Sequence, residues 1–88
     1  MSDTPQNIVM VDPPMMGSVR GRVLGVKGVS IHGDTYCDCV IGIGDSPDGR
    51  IEAIGVRIPM HLLTGDLHGG ETLSVEFLMG QVQGVEVL

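Results

Sequence analysis

Tryptophan is absent, and Tyr36 and Phe77 are the only aromatic residues in the 88-residue chain. That scarcity excludes a row of stacking platforms of the kind that holds unpaired nucleic-acid bases. It also means that any core is packed by aliphatic side chains. Basic residues are few as well: five against eleven carboxylates, for a net charge of −6. A phosphate backbone or an anionic membrane surface is repelled by that average field, so nucleic acid and membrane are poor partners. No apolar run approaches the ~20 residues of a spanning helix. The first residues, Met1-Ser2-Asp3-Thr4-Pro5-Gln6-Asn7, have neither a basic start nor an apolar stretch, so they do not read as a secretory signal. The expected location is therefore the cytoplasm, of a cell or of a virus-infected cell.

Catalytic signatures are missing too. There is no Gly-x-Ser-x-Gly elbow. The segment Gly65-Asp66-Leu67-His68-Gly69-Gly70 lacks the Lys and Ser/Thr of a phosphate-binding loop. A base–acid pair from His61, His68 and Asp66 is conceivable, but a polar turn facing water accounts for the same residues. The chain is expected not to be an enzyme and to carry no cofactor.

What is present is β-branched and glycine-rich. The run Tyr36-Cys37-Asp38-Cys39-Val40-Ile41-Gly42-Ile43 alternates, which puts Cys37, Cys39, Ile41 and Ile43 on one face of a strand. Ser46-Pro47-Asp48-Gly49 follows as a hairpin loop, then a second β-branched run from Arg50 to Ile58. The second run shifts parity near Ala53, which predicts a bulge there. Thr72 to Met79 alternates with Leu73, Val75, Phe77 and Met79 inward. Gly80-Gln81 reads as a type II′ turn into a last strand, Val82 to Leu88. Upstream, Ser18 to Lys27 is a strand with a bulge or bend near Gly25, Lys27-Gly28 is a turn signal, and Val29 to His32 is a short strand or a continuation. Pro59 ends a strand, and Met60 to Thr64 has room for one helical turn. The fold class is all-β: a small antiparallel barrel or compact sandwich of five to six short strands.

Residues 1–17 read as an N-terminal arm and 18–88 as a single β domain. Pro13-Pro14 forbids a helix or a central strand in the arm.

His32, Asp34, Cys37, Asp38 and Cys39 include every common zinc-ligand type within eight residues. Alternation splits them, however. The cysteines share parity with Ile41 and Ile43, whereas His32, Asp34 and Asp38 have the other parity. The cysteines are expected buried, as reduced thiols without metal. A Cys37–Cys39 disulfide is disfavoured, because i and i+2 on a strand are about 6.5–7 Å apart.

Two functions fit. The first is a non-catalytic protein–protein interaction or assembly module, with a protein partner or itself as a homo-oligomer. A small virus- or phage-associated structural or accessory protein belongs to this class. Its candidate interaction residues are Ile8, Val9, Met10, Met15 and Met16, an apolar arm whose methionines adapt to a partner's shape. The second is a ligand-binding β domain of the oligonucleotide-binding type. It would use Arg20, Arg22 and Lys27 on a basic strand face, with Tyr36 as the outward aromatic residue.

Overall fold

The computed structural model describes residues 7–63, 65 and 67–88. Six strands form one sheet: β1 (Ile8–Met10), β2 (Met16–Ile31), β3 (Asp34–Asp45), β4 (Ile51–Pro59), β5 (Thr72–Leu78) and β6 (Gln81–Val87). A single 3-10 turn, Met60–Leu62, follows β4. The order across the sheet is β1-β4-β3-β2-β5-β6. The four central pairings are antiparallel, and β1 adds to the outside of β4 in parallel. The protein is therefore all-β, as its alternation implies.

The long strand β2 organises the sheet. Its first half pairs with β5 and its second half with β3, so that Arg22 faces both Thr72 and Gly42. One strand shared by two neighbours must coil strongly, and this coiling curls the sheet around its apolar face. Gly21 sits at the crossover. A Cβ there would strike the Gly42 carbonyl oxygen and lie 2.5 Å from Ile41 Cγ2. A glycine is required at this corner by the closeness of the two strands.

The core is the concave face. Val23, Cys37, Cys39, Ile41, Ile54, Val56, Ile58, Leu73, Val75 and Phe77 are buried together. The predicted parity break in β2 is a bulge between Val23 and Gly25. It leaves Leu24 outside and returns Val26 to the side of Val23.

Four local expectations differ from the structure. Lys27-Gly28 is not a turn. β2 runs on to Ile31, and the reversal is His32-Gly33, with φ of +50° and +84°. The parity change in β4 has its bulge across the ladder, between Gly42 and Gly44 of β3. Ala53 therefore keeps its alternation and is buried on the face opposite Ile54, on the side where Leu24 and Ile51 cross Gly42. The β5–β6 turn is not Gly80-Gln81. Leu78 pairs with Gln81, so the loop is Met79-Gly80, and φ of +54° and +78° makes it type I′. Finally, Met79 is not inward but 78% exposed.

The loop Ser46–Gly49 forms where expected. The Ser46 N–H donates to the Arg50 carbonyl at 2.7 Å, and Gly49 has φ of +85°. The Asp48 carboxylate accepts from the Ser46 hydroxyl and from Arg50 Nε. The Ser46 hydroxyl, first, and then the groups of Arg50 hold the Asp48 carboxyl below its ordinary pKa.

Candidate interaction surface

Ile8, Val9 and Met10, expected in an interaction arm, form β1. Their partners are Ile51, Glu52 and Ala53 of β4. The Val11 N–H donates to the Ala53 carbonyl at 2.8 Å, and Val11, Pro13 and Pro14 are half-buried. These residues run across the mouth of the curled sheet on the way to β2, which begins at Met16. Met10 reaches over Gly55 on the outer face and stays 54% exposed.

Met15 and Met16 lie elsewhere, and the structure brings them together with two residues that alternation had placed differently or not singled out. Met16 pairs with Leu78, and the Gly80 N–H donates to the Met15 carbonyl at 2.9 Å. Met15, Met16, Leu78 and Met79 thus form one apolar tip, exposed by 67, 71, 45 and 78% respectively. The Leu78–Met79 half was missed because alternation carries Met79 inward. The available signal was the equal length of the two runs around Met79-Gly80, which centres a two-residue loop there.

Gly80 connects this tip to a groove of ≈ 420 Å³ between β4 and the start of β6. Pro13, Tyr36, Pro59, Phe77 and Val82 line it, so both aromatic residues of the chain meet there.

The residues of the ligand-binding alternative also share a face. Arg20 and Arg22 point outward from β2, and the bulge at Leu24 shifts parity so that Lys27 points outward as well. The stripe is roughly 20 Å long at strand spacing. Tyr36 is outward on β3, opposite Val29 and Pro59. The same face holds an ion pair not anticipated from the sequence. Arg57 donates to both carboxylate oxygens of Asp38, at 2.8 and 3.0 Å, and Lys27 is the cross-strand neighbour on the other side. The Arg57 hydrogen bonds, foremost, with the charges of Arg57 and Lys27, lower the Asp38 pKa, and Asp38 in turn raises that of Arg57. Asp38 therefore places a carboxylate opposite Lys27, at one end of the row, and Arg20, Arg22 and Lys27 make no salt bridge among the described residues.

Cys37 and Cys39 are 4% and 2% exposed, inside the core with Ile41. Burial, with the Asp38 charge second, raises the Cys37 pKa. Burial, with Cys37 second, pushes the Cys39 thiol up to about 11. Neither is an activated nucleophile, because activation needs a lowered pKa. His32 is exposed in the β2–β3 turn, and Asp38 is on the outer face, so the candidate zinc ligands are divided between the two sides of the sheet. Among the described residues no three His, Cys, Asp or Glu side chains gather around a common point. His61 and His68 are exposed, and Asp66 lies outside the described residues.

These features define a small, strongly curled β domain with an exposed apolar tip and no assembled polar site among its described residues. No protein family, curated protein or solved structure matches this chain. No described helix is long and apolar enough to cross a membrane.

Proposed function

We propose that this chain is a non-catalytic protein-interaction or assembly module that docks through the tip formed by Met15, Met16, Leu78 and Met79. The observation that supports this most is Met79. A type I′ turn favours Asn or Gly, because both central residues need positive φ. Met79 instead holds a bulky side chain at φ of +54° and exposes 78% of itself. Each feature disfavours the isolated domain, by local strain and by apolar hydration respectively. Contact with another apolar surface offsets the second. Four large apolar residues exposed side by side, three of them methionines, make a surface that adapts to a partner. The nearest charges along the chain, Asp12 and Glu76, are acidic, which favours a protein partner over an anionic lipid surface.

A photo-crosslinking methionine analogue at position 79 should capture a protein partner or a second copy. The pair Met16→Gln and Leu78→Gln should reduce that capture severalfold. Equal capture by a crosslinker at Arg50, which lies in a different loop, would sink the reading. Met79→Asn should meanwhile stabilise the free domain by roughly 0.5–1 kcal/mol, seen as a rise of a few degrees in Tm.

The alternative, polyanion binding through Arg20, Arg22 and Lys27, is favoured by their shared face. It is opposed by Asp38, opposite Lys27 at one end of the row, and by the net charge of −6. It requires a labelled single-stranded oligonucleotide to bind with steep salt dependence and to weaken on Arg20→Ala.

A further inference from the structure

The sheet is not closed among its described residues, and main-chain groups lack a ladder partner along the outer side of β1, the β5-facing side of β2 beyond Val23, part of β4 and part of β6. The stretches on β4 and β6 flank one groove. On β4 the unpaired groups belong to Gly55 and Arg57, beyond the stretch covered by β1. On β6 they belong to the last residues of the strand. The Leu88 N–H donates to the Thr72 carbonyl at 2.9 Å, so Leu88, and by alternation Glu86 and Gly84, turn their peptide groups toward β5. The peptide groups of Val85 and Val87 therefore point away from the sheet, and neither has a backbone partner among the described residues.

The two edges differ in what can reach them. Cα atoms of β4 and β6 come within 8 Å of each other. A strand inserted between two others holds them roughly 9.5 Å apart, so the groove there is too narrow for one. Pro13 lines that groove and Pro59 ends β4, and proline blunts an edge. β6 is more open: its protection is a bulge, with Gln83 left out of the ladder to β5, and one charge, Glu86. Its sequence, Gln81-Val82-Gln83-Gly84-Val85-Glu86-Val87, holds no proline and no lysine. Val87 and Leu88 remain 49% and 53% exposed beside it.

We propose that β6 pairs antiparallel with β6 of a second copy about a two-fold axis at Val85, joining two sheets into one. This goes beyond the tip reading: it adds a second surface, the β6 edge, and one partner, a second copy, to the same assembly class.

Register decides the occupant. Beyond the bulge at Gln83, the edge-facing residues are Val85 and Val87, and these can form hydrogen-bonded pairs across the axis. If Val85 met Val87 of the other copy, the axis would pass through Glu86. The two Glu86 side chains would then stand at the closest cross-strand spacing, about 4.5 Å between Cα atoms, where like charges repel. With Val85 opposite Val85, each Glu86 faces Gly84 of the other copy, which has no side chain. Val87 falls opposite the bulge at Gln83. The strand is thus complementary to itself in this register. Pairing of β6 with β6 uses the same edge of both copies, and such an isologous contact closes as a dimer without growing into a filament. So short a ladder buries less than a standard interface, and the dimer is expected to be weak.

Sedimentation of the full chain over ~1–200 µM should show a monomer–dimer equilibrium. Val85→Pro removes an amide hydrogen that has no backbone partner within the domain, and it should weaken the dimer roughly tenfold or more while circular dichroism stays native. A second pair of variants does not depend on tolerance of proline. A Cβ at Gly84 meets nothing within 4 Å, so Gly84→Lys fits the isolated domain. It should tighten the dimer roughly threefold by facing Glu86 of the other copy. Adding Glu86→Lys to it should reverse the sign and weaken the dimer below wild type. A wild-type chain that stays monomeric over the whole range overturns the proposal. So does a folded Val85→Pro chain that dimerises normally, or the absence of the sign reversal. Met79→Asn separates this failure from that of the broader reading and should leave the β6 dimer unchanged. If Met79→Asn abolishes dimerisation and Val85→Pro does not, copies meet through the methionine tip. The edge pairing is then wrong and the assembly reading survives.

Discussion

Gly21→Ala should lower the stability of this domain by about 3 kcal/mol, a fall in Tm of roughly 10–20 °C for a chain of this size. The alanine methyl would collide with the Gly42 carbonyl oxygen and approach Ile41 Cγ2 to 2.5 Å. Neither neighbour can yield cheaply. Gly42 is backbone within the β3 ladder, and Ile41 is 1% exposed in the middle of the core. The strands would have to separate where β2 passes from β5 to β3, which disturbs two pairings at once. Gly28→Ala is the control. It is also a glycine in β2, but a Cβ there meets nothing within 4 Å, so its effect should be within a few tenths of a kcal/mol. Thermal melts of the two variants side by side check this. A Gly21→Ala protein that melts with the wild type would show that the crossover is looser than its geometry implies.

The second large effect is a loss of stability at alkaline pH, caused by Cys39. Its folded pKa is about 11 against an ordinary 9.0, because ionisation would place a thiolate in an aliphatic core. Between these values the unfolded chain releases the thiol proton and the folded chain keeps it. The folded state then binds more protons, so stability falls as pH rises. The contribution is intact below pH ~9 and diminishes progressively toward pH ~11, with a full size of about 2–3 kcal/mol. Cys37 acts in the same direction, since its pKa is also raised by burial. Denaturant titrations at pH 8 and pH 10.5 should show this fall in the wild type and a smaller one in Cys39→Ala. If both chains lose stability equally, other groups control the alkaline limb. The ion pair on the outer face has the opposite sign. Asp38, held below its ordinary pKa chiefly by the Arg57 hydrogen bonds, stabilises the fold above the unfolded carboxyl pKa, and this is lost as pH falls through the folded one. Because the pair is half-exposed, water screens it and the acid-side effect is small.

How much of this was legible beforehand depended on the range of the interaction involved. Alternation from Tyr36 to Ile43 was sufficient to place Cys37 and Cys39 inside, because the side-chain period of a strand is local geometry. The same logic gave the loop at Ser46–Gly49, where proline and glycine announce their backbone angles. It failed at Met79, where the hairpin's closing pair, Leu78 and Gln81, is a relation between two strands. Methionine has no local preference for the φ of +54° imposed by that pairing. Lys27-Gly28 misled for the complementary reason: glycine permits a turn but does not require one, and pairing with Asp38 and Cys37 kept the strand extended.

The candidate site followed the same division. Composition showed that the chain is acidic, poor in aromatic residues and without a catalytic signature, and hydropathy showed an apolar segment near its start. Neither could show that Ile8–Met10 would join β4 while Met15 and Met16 would meet Leu78 and Met79, more than sixty residues away in sequence. Local sequence determined strand character and facing, because these follow from φ, ψ and side-chain alternation within a few residues. Strand order, the parallel docking of β1, the open β6 edge and the apolar tip were decided only in three dimensions, because each depends on which distant strands satisfy one another's main-chain hydrogen bonds.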